Sequence, residues 1–189
     1  MASAMHAARS ELETATHNLA NASSDGYRRF SAHLALTDRG LVPSQTRTFE
    51  QGALRQTGRV LDLAILGRGS FQLEGEHTRS GAFVTDRNGY LANDRGSKVI
   101  GANGPIRIGD ATTIASDGMV RDHGRIVNRI PLPPGSSLQT GALEASNVNA
   151  IGESLAILEA QRAFETAQKT LVAIDESRQK SVNDVARLK

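Results

Sequence analysis

The 189-residue chain contains no cysteine and no tryptophan, and only 4% of its residues are aromatic. Without cysteine there are neither disulfide staples nor thiolate metal sites, and the redox compartment stays open. So few aromatics, with 39% hydrophobic residues, bound the chain to a small core. No apolar run approaches the ~18 residues of a membrane span. Residues 1–8 hold Ser3 and His6 where a signal peptide has its apolar stretch, so no cleaved secretory signal is expected. Charge of one sign is lacking too: 22 Lys+Arg against 20 Asp+Glu leave +2, and the basic residues do not cluster. That balance argues against nucleic acid as a partner.

Motifs that carry chemistry are equally scarce. His6, His17, His33, His77 and His123 never fall at H-x-H or H-x-x-x-H spacing, so they read as surface or helix-face residues rather than metal ligands. Gly67-Arg68-Gly69-Ser70-Phe71 starts like a dinucleotide loop, but Gln72 occupies the third glycine position and a strand-like run follows. A tight turn between strands fits better. Tyr27-Arg28-Arg29-Phe30 interleaves aromatics with arginines once, which is weak for a single-strand binder and suits a packed junction. Glu74, Asp62, Asp86 and Asp94 form no local acid–base pair, and Asp86–Gly89 is only a fragment of a calcium loop. No catalytic, metal or cofactor site is expected. A hydrolase with a dispersed triad would leave no local trace, but nothing speaks for one.

What is present is periodicity at both ends. Met1, Met5, Ala8, Leu12, Ala15, Leu19 and Ala22 step by four and three, an unbroken a/d seam on an expected helix. Ser23-Ser24-Asp25-Gly26 ends it, and Gly26 is expected at positive φ where the chain turns away. At the other end Val148, Ile151, Leu155 and Leu158 give one a/d run. Phe164, Ala167, Leu171, Ile174, Arg178, Ser181, Val185 and Leu188 give another, offset by a six-residue step that reads as a phase slip.

Between the helices, short apolar runs alternate with turn pairs: Asn88-Gly89, Arg95-Gly96, Asn103-Gly104, Asp117-Gly118 and His123-Gly124. Glycine after a polar residue supplies the positive φ of tight hairpins, so residues 60–130 predict a compact antiparallel β-domain. The expected fold class is α+β: N- and C-terminal heptad helices forming a coiled-coil layer, with a central compact antiparallel β-domain. The expected divisions are an N-terminal helix over 1–26, a connecting segment over 27–59, the β-domain over 60–130, a Pro/Gly/Ser linker over 131–146 and a C-terminal helix over 147–189. A helix with so narrow a seam is marginal alone and needs a partner surface, which points to an assembly protein.

Several ordered motifs carry a resemblance. Asn18-Leu19-Ala20-Asn21-Ala22-Ser23-Ser24-Asp25-Gly26-Tyr27 resembles the helix-end signature of the flagellar rod and hook axial protein family. Gln51-Gly52-Ala53-Leu54, Thr57-Gly58 and Leu61-Asp62-Leu63-Ala64-Ile65 continue it in register. So do Thr78-Arg79-Ser80-Gly81-Ala82-Phe83 and Gly141-Ala142-Leu143-Glu144-Ala145-Ser146-Asn147-Val148. Ile157 to Glu165, containing Gln161 and Arg162, resembles the family's C-terminal motif.

The resemblance implies a structural, non-enzymatic rod subunit that assembles helically and transmits torque from motor to hook, with a hook-type or adhesin-like axial protein as the alternative. The lack of a large insertion favours the rod. It implies residence in the periplasmic basal body and type III export without a cleaved signal. Partners would be further copies, other rod and hook proteins and the surrounding bushing rings, with no cofactor, nucleic acid or membrane insertion. The candidate assembly seam is Met5, Leu12, Leu19, Ile151, Leu155, Leu158, Phe164, Leu171, Ile174 and Val185. The family-motif residues are Asn18, Leu19, Ala20, Asn21, Gly26, Tyr27, Asp62, Gly81, Asn147, Gln161 and Arg162.

Overall fold

The computed structural model describes residues 2–38 and 40–187, with side chains over 5–38 and 42–180. Met1, Ser181, Val185 and Leu188 of the expected seams lie outside the described side chains. The fold is α+β. A helix α1 (Ala2–Ala20) opens it and a long helix α2 (Ala150–Arg187) closes it. Between them run β1 (Phe30–Thr37), β2 (Gly40–Arg47), β3 (Leu54–Gln56), β4 (Leu63–Leu66), β5 (Phe71–Gln72), β6 (His77–Thr78), β7 (Val84–Thr85) and β8 (Leu91–Ala92). There follow β9 (Ile100–Gly101), β10 (Gly104–Pro105), β11 (Thr112–Ile114), β12 (Met119–Asp122), β13 (Arg125–Arg129), β14 (Ser137–Thr140) and β15 (Ala142–Glu144).

The chain divides into two compact units. Unit one gathers α1, Phe30–Thr48 and α2; unit two gathers Asn21–Arg29 and Phe49–Val148. The connecting segment expected over 27–59 is therefore not a connector throughout. Its middle is the β1–β2 hairpin, paired antiparallel from Phe30↔Arg47 to Thr37↔Gly40. Pro43 sits inside β2 opposite Leu34 rather than breaking it. A two-stranded sheet has open edges, and proline is tolerated on an edge that needs no donor.

In unit two, Leu63, Ile65, Phe71, Leu73, Phe83, Leu91, Val99, Ile106, Val120, Ile130 and Leu138 form one buried cluster. Phe71 and Phe83 meet edge to face with centroids 5.0 Å apart. The sheets are small antiparallel pairs, and only β11-β12-β13 has three strands. Turn chemistry drives this. Asp86 Oδ1 accepts the N–H groups of Asn88 and Tyr90, and Asn93 Oδ1 those of Arg95 and Ser97. Gly89, Gly96, Gly104, Gly118 and Gly124 all take positive φ, as the paired turns anticipate.

The linker reading of 131–146 is corrected by two strands. β14 pairs with β4 from Ser137↔Leu66 to Thr140↔Leu63, and β15 pairs with β3. Pro131, Pro133 and Pro134 precede the strands, so their missing donors cost no ladder bond. Leu138, Ala142, Leu143 and Glu144 are buried, which a linker would not be.

Backbone approaches are tight around three glycines of unit two. A Cβ on Gly81 would lie 1.6 Å from the Leu63 carbonyl oxygen, and one on Gly52 1.9 Å from that of Ala145. Gly26 has φ 71°, and a Cβ there would lie 2.3 Å from the carbonyl carbon of Arg79. Gly81→Ala is expected to destabilise unit two by about 3 kcal/mol, the upper range for overpacking. Gly58→Ala, with nothing near its Cβ but φ 74°, should cost about 1 kcal/mol from backbone strain alone. Hydrogen exchange across residues 60–130 measures both, and equal effects would mean that crowding at Gly81 is relieved.

Candidate assembly faces and motif nodes

Helix α1 is the middle layer of unit one, with the β1–β2 hairpin against it on one side and α2 on the other. Ala8 and Ala15 are buried, while Met5, Leu12 and Leu19 are half-buried beside them. Small residues on the stripe let the backbones approach closely. Thr14 and Asn18 are buried as well, and both use their polar atoms: Thr14 Oγ1 accepts from Gln45 Nε2 at 2.8 Å.

Helix α2 begins at an Asn149 cap, whose Oδ1 accepts the N–H groups of Ile151 and Gly152, both at 3.1 Å. Its buried or half-buried positions among the described side chains are Glu153, Ala156, Ile157, Ala160, Phe164, Ala167 and Ile174, and from Glu153 through Ile157, Ala160 and Phe164 to Ala167 they step by four, three, four and three. The expected phase slip is absent. The sequence pattern follows the large residues Ile151, Leu155 and Leu158, but these are 76%, 57% and 51% exposed. They precede Glu153, Ile157 and Ala160 by two positions, about 200° around the helix. They therefore line the side of α2 remote from α1. The small Ala160 continues the packed face, and its lack of bulk hides that face from a pattern weighted toward large side chains. Leu171 is 37% exposed, at the margin of the packed face.

Two polar nodes occupy the family-motif positions. In unit one, Asn18 mimics a strand neighbour of Phe30: its Oδ1 accepts the Phe30 N–H at 2.9 Å, and its Nδ2 donates to the Phe30 carbonyl at 2.8 Å. The same Nδ2 lies 3.1 Å from Glu153 Oε2, and both side chains are buried. One amide thus joins α1, β1 and α2.

In unit two the node is Arg79 with Glu144, both buried. Arg79 Nε donates to Glu144 Oε2 at 2.7 Å, and Nη2 reaches the same oxygen. The guanidinium also donates to the carbonyls of Ile65, Gly67 and Gly69. All five donors are used, which is what a buried arginine requires. Arg28 approaches Glu144 from a third side at 3.6 Å. The Glu144 carbonyl accepts the Gly26 N–H at 2.6 Å, and Arg55 Nη2 bridges both Asp25 oxygens at 3.0 Å. Asn147 Oδ1 accepts from the Arg29 N–H at 2.7 Å, and its Nδ2 donates to the Glu50 carbonyl at 2.9 Å.

Asn18, Gly26, Gly81 and Asn147 thus sit in contacts that a substitution would break. Asp62 is buried 3.6 Å from Arg59. Asn21 and Tyr27 are half-buried, whereas Ala20, Gln161 and Arg162 are exposed. Arg79 and Glu144 lie inside the quoted family motifs without having been given a role there, and Glu153 lies outside them. The available signal was a charged residue inside an apolar run, as in Ala142-Leu143-Glu144.

A structural protein of the bacterial flagellar axis is the class to which two family models assign this chain. The family model described as Flagella basal body rod protein matches residues 1–28, and Flagellar basal body rod FlgEFG protein C-terminal matches residues 139–184. The chain is 30% identical to flagellar basal-body rod protein FlgF of Caulobacter vibrioides, an alignment covering 86% of each chain. It is 29% identical to flagellar basal-body rod protein FlgG of Agrobacterium fabrum, over 93% of this chain and 94% of that one. Flagellar hook protein FlgE of Brucella abortus is 35% identical, but the match covers 58% of this chain and 32% of the hook protein. The chain belongs to the flagellar basal-body rod and hook axial protein family.

Arg79→Met is expected to cost about 3–5 kcal/mol, because Glu144 is left charged and buried. Arg79→Met with Glu144→Gln should recover part of that loss. A double-mutant cycle by urea denaturation checks it, and additive losses would show the two side chains to be uncoupled. Asn18→Ala should cost about 1–3 kcal/mol and raise exchange at the Phe30 amide while leaving residues 60–130 protected. Unchanged Phe30 protection would contradict the strand-mimic role.

Proposed function

We propose that this chain is a structural subunit of the flagellar rod. It assembles helically with neighbouring axial subunits and passes torque from motor to hook. The observation that carries the reading is unit one, where helices from the two ends of the chain pack together and leave an apolar face of α2 bare. The two family models fall on just these ends. Rod proteins are matched along most of their length, hook proteins along about a third, which favours the rod over the hook.

The coiled-coil layer belongs to this proposal. Met5, Leu12, Leu19, Phe164, Leu171 and Ile174 serve the pairing of α1 with α2, and Ile151, Leu155 and Leu158 serve contacts between subunits. The role is mechanical rather than catalytic and calls for no cofactor. Residence in the periplasmic part of the basal body, and export through the flagellar type III apparatus without a cleaved signal, follow from the same reading. Other rod proteins and the surrounding bushing rings are the partners it predicts.

Leu12→Asp places a carboxylate on the packed stripe of α1, at a cost of several kcal/mol. The variant should abolish swimming and be missing from purified basal bodies, while residues 60–130 keep their hydrogen-exchange protection. Normal motility with the variant incorporated would remove the proposal's reliance on the α1 stripe. A wild-type chain absent from purified basal bodies would remove the rod assignment itself.

A further inference from the structure

Strand β13 stands at one end of the three-stranded sheet β11-β12-β13. Its run Arg125-Ile126-Val127-Asn128-Arg129 is of the kind that recruits further strands, because Ile126 and Val127 are adjacent, β-branched, and 55% and 45% exposed. The Met119 carbonyl accepts the Ala115 N–H on the β11 side, so the facing pair Met119↔Arg129 does not exchange hydrogen bonds. The Arg129 N–H and C=O therefore point away from β12, toward any strand that would be added. Both groups are already taken. The Arg129 carbonyl accepts the Ala102 N–H at 2.8 Å, and the Arg129 N–H donates to Asn128 Oδ1 at 2.8 Å. Asn128 is buried and also holds the β9–β10 turn in place. Its Oδ1 accepts the Asn103 N–H at 3.0 Å, and its Nδ2 donates to the Gly104 carbonyl at 3.1 Å. Gly101 lets the turn come this close: a Cβ there would lie 2.4 Å from Asn128 Oδ1 and 2.8 Å from the Arg129 carbonyl oxygen. Further along the strand, the register shift between Val120 and Arg121 leaves Val127 without a facing residue on β12. A bulge of this kind twists an edge away from flat pairing.

We propose that the β9–β10 turn, latched by Asn128, is a guard on this edge that keeps unit two from adding a β-strand of a second copy. The hairpin β9–β10 is closed by its own pairing, Gly104↔Gly101, and needs no asparagine from another sheet for that. The Asn128 bonds reach across from β13 instead, and what the held turn covers is the Arg129 main chain beside two exposed apolar residues. A free edge with these side chains is a template for pairing between chains, and covering it with a loop removes the template. The guard is a property of unit two alone and does not depend on the rod-subunit reading.

Asn128→Ala in the full chain should speed hydrogen exchange at the Ala102, Asn103 and Arg129 amides about tenfold. It should also give multimers with intermolecular β-sheet absorption in the infrared, at concentrations where the wild-type chain gives none. Adding Val127→Lys sets a charge on the freed edge and should cut those multimers about tenfold while the three amides stay fast. Gly101→Ala pushes the turn off the edge but keeps the asparagine, and should act in the same way. Freed amides in a chain no more multimeric than wild type would make Asn128 a staple between hairpins and overturn the guard. Unchanged exchange at the three amides overturns it too. Multimers that persist undiminished with Val127→Lys arise from another surface or from unfolding, and they also overturn it.

Discussion

A single buried carboxylate, that of Glu144, organises the β unit. It accepts from Arg79, is approached by Arg28 and by the Gly52 N–H, and its own carbonyl receives Gly26. Through Arg79 it reaches the carbonyls of Ile65, Gly67 and Gly69. Segments far apart in sequence therefore converge on one charge pair. Removing Arg79 takes a donor from the Ile65, Gly67 and Gly69 carbonyls and leaves the buried Glu144 carboxylate with only Arg28 and the Gly52 N–H beside it. The apolar cluster around Phe71 and Phe83 supplies burial, but burial is non-directional. The ion pair fixes which loop meets which strand.

The same convergence explains the crowded glycines. Gly26, Gly52 and Gly81 each bring backbone against backbone, at Arg79, Ala145 and Leu63. The chain has few aromatics with which to fill wide gaps between its short strands. It closes those gaps by bringing main chain onto main chain, which only glycine permits at such distances.

Much of this was legible in sequence. The helix α1, the glycine turns and the positive φ of Gly26 follow from local rules, because each depends on neighbours within a few residues. The motif residues Asn18, Gly26, Gly81 and Asn147 were recognisable by resemblance, though not what each one touches. Three features were not legible. The β1–β2 hairpin was hidden by Pro43, whose tolerance depends on an edge that only the fold reveals. β14 and β15 were hidden by the prolines before them, since pairing with β4 and β3 spans more than seventy residues. The two faces of α2 were confused because periodicity alone does not say which stripe meets α1. The Ala160 stripe does so, and the stripe with larger side chains does not.

The topology of unit one also sets an order of events. Unit two is nearly continuous in sequence, from Phe49 to Val148 apart from the short Asn21–Arg29 piece, and its contacts can form as soon as that stretch is available. Unit one joins α1 to α2 across more than a hundred residues, so it cannot close until the last helix is present. Long-range closure of this kind comes late on entropic grounds. Synthesis runs from the N-terminus, so α1 stands without its partner helix until α2 has been made. The paired face of α1 is therefore the last part of the fold to be covered, and the order of the sequence itself sets that delay.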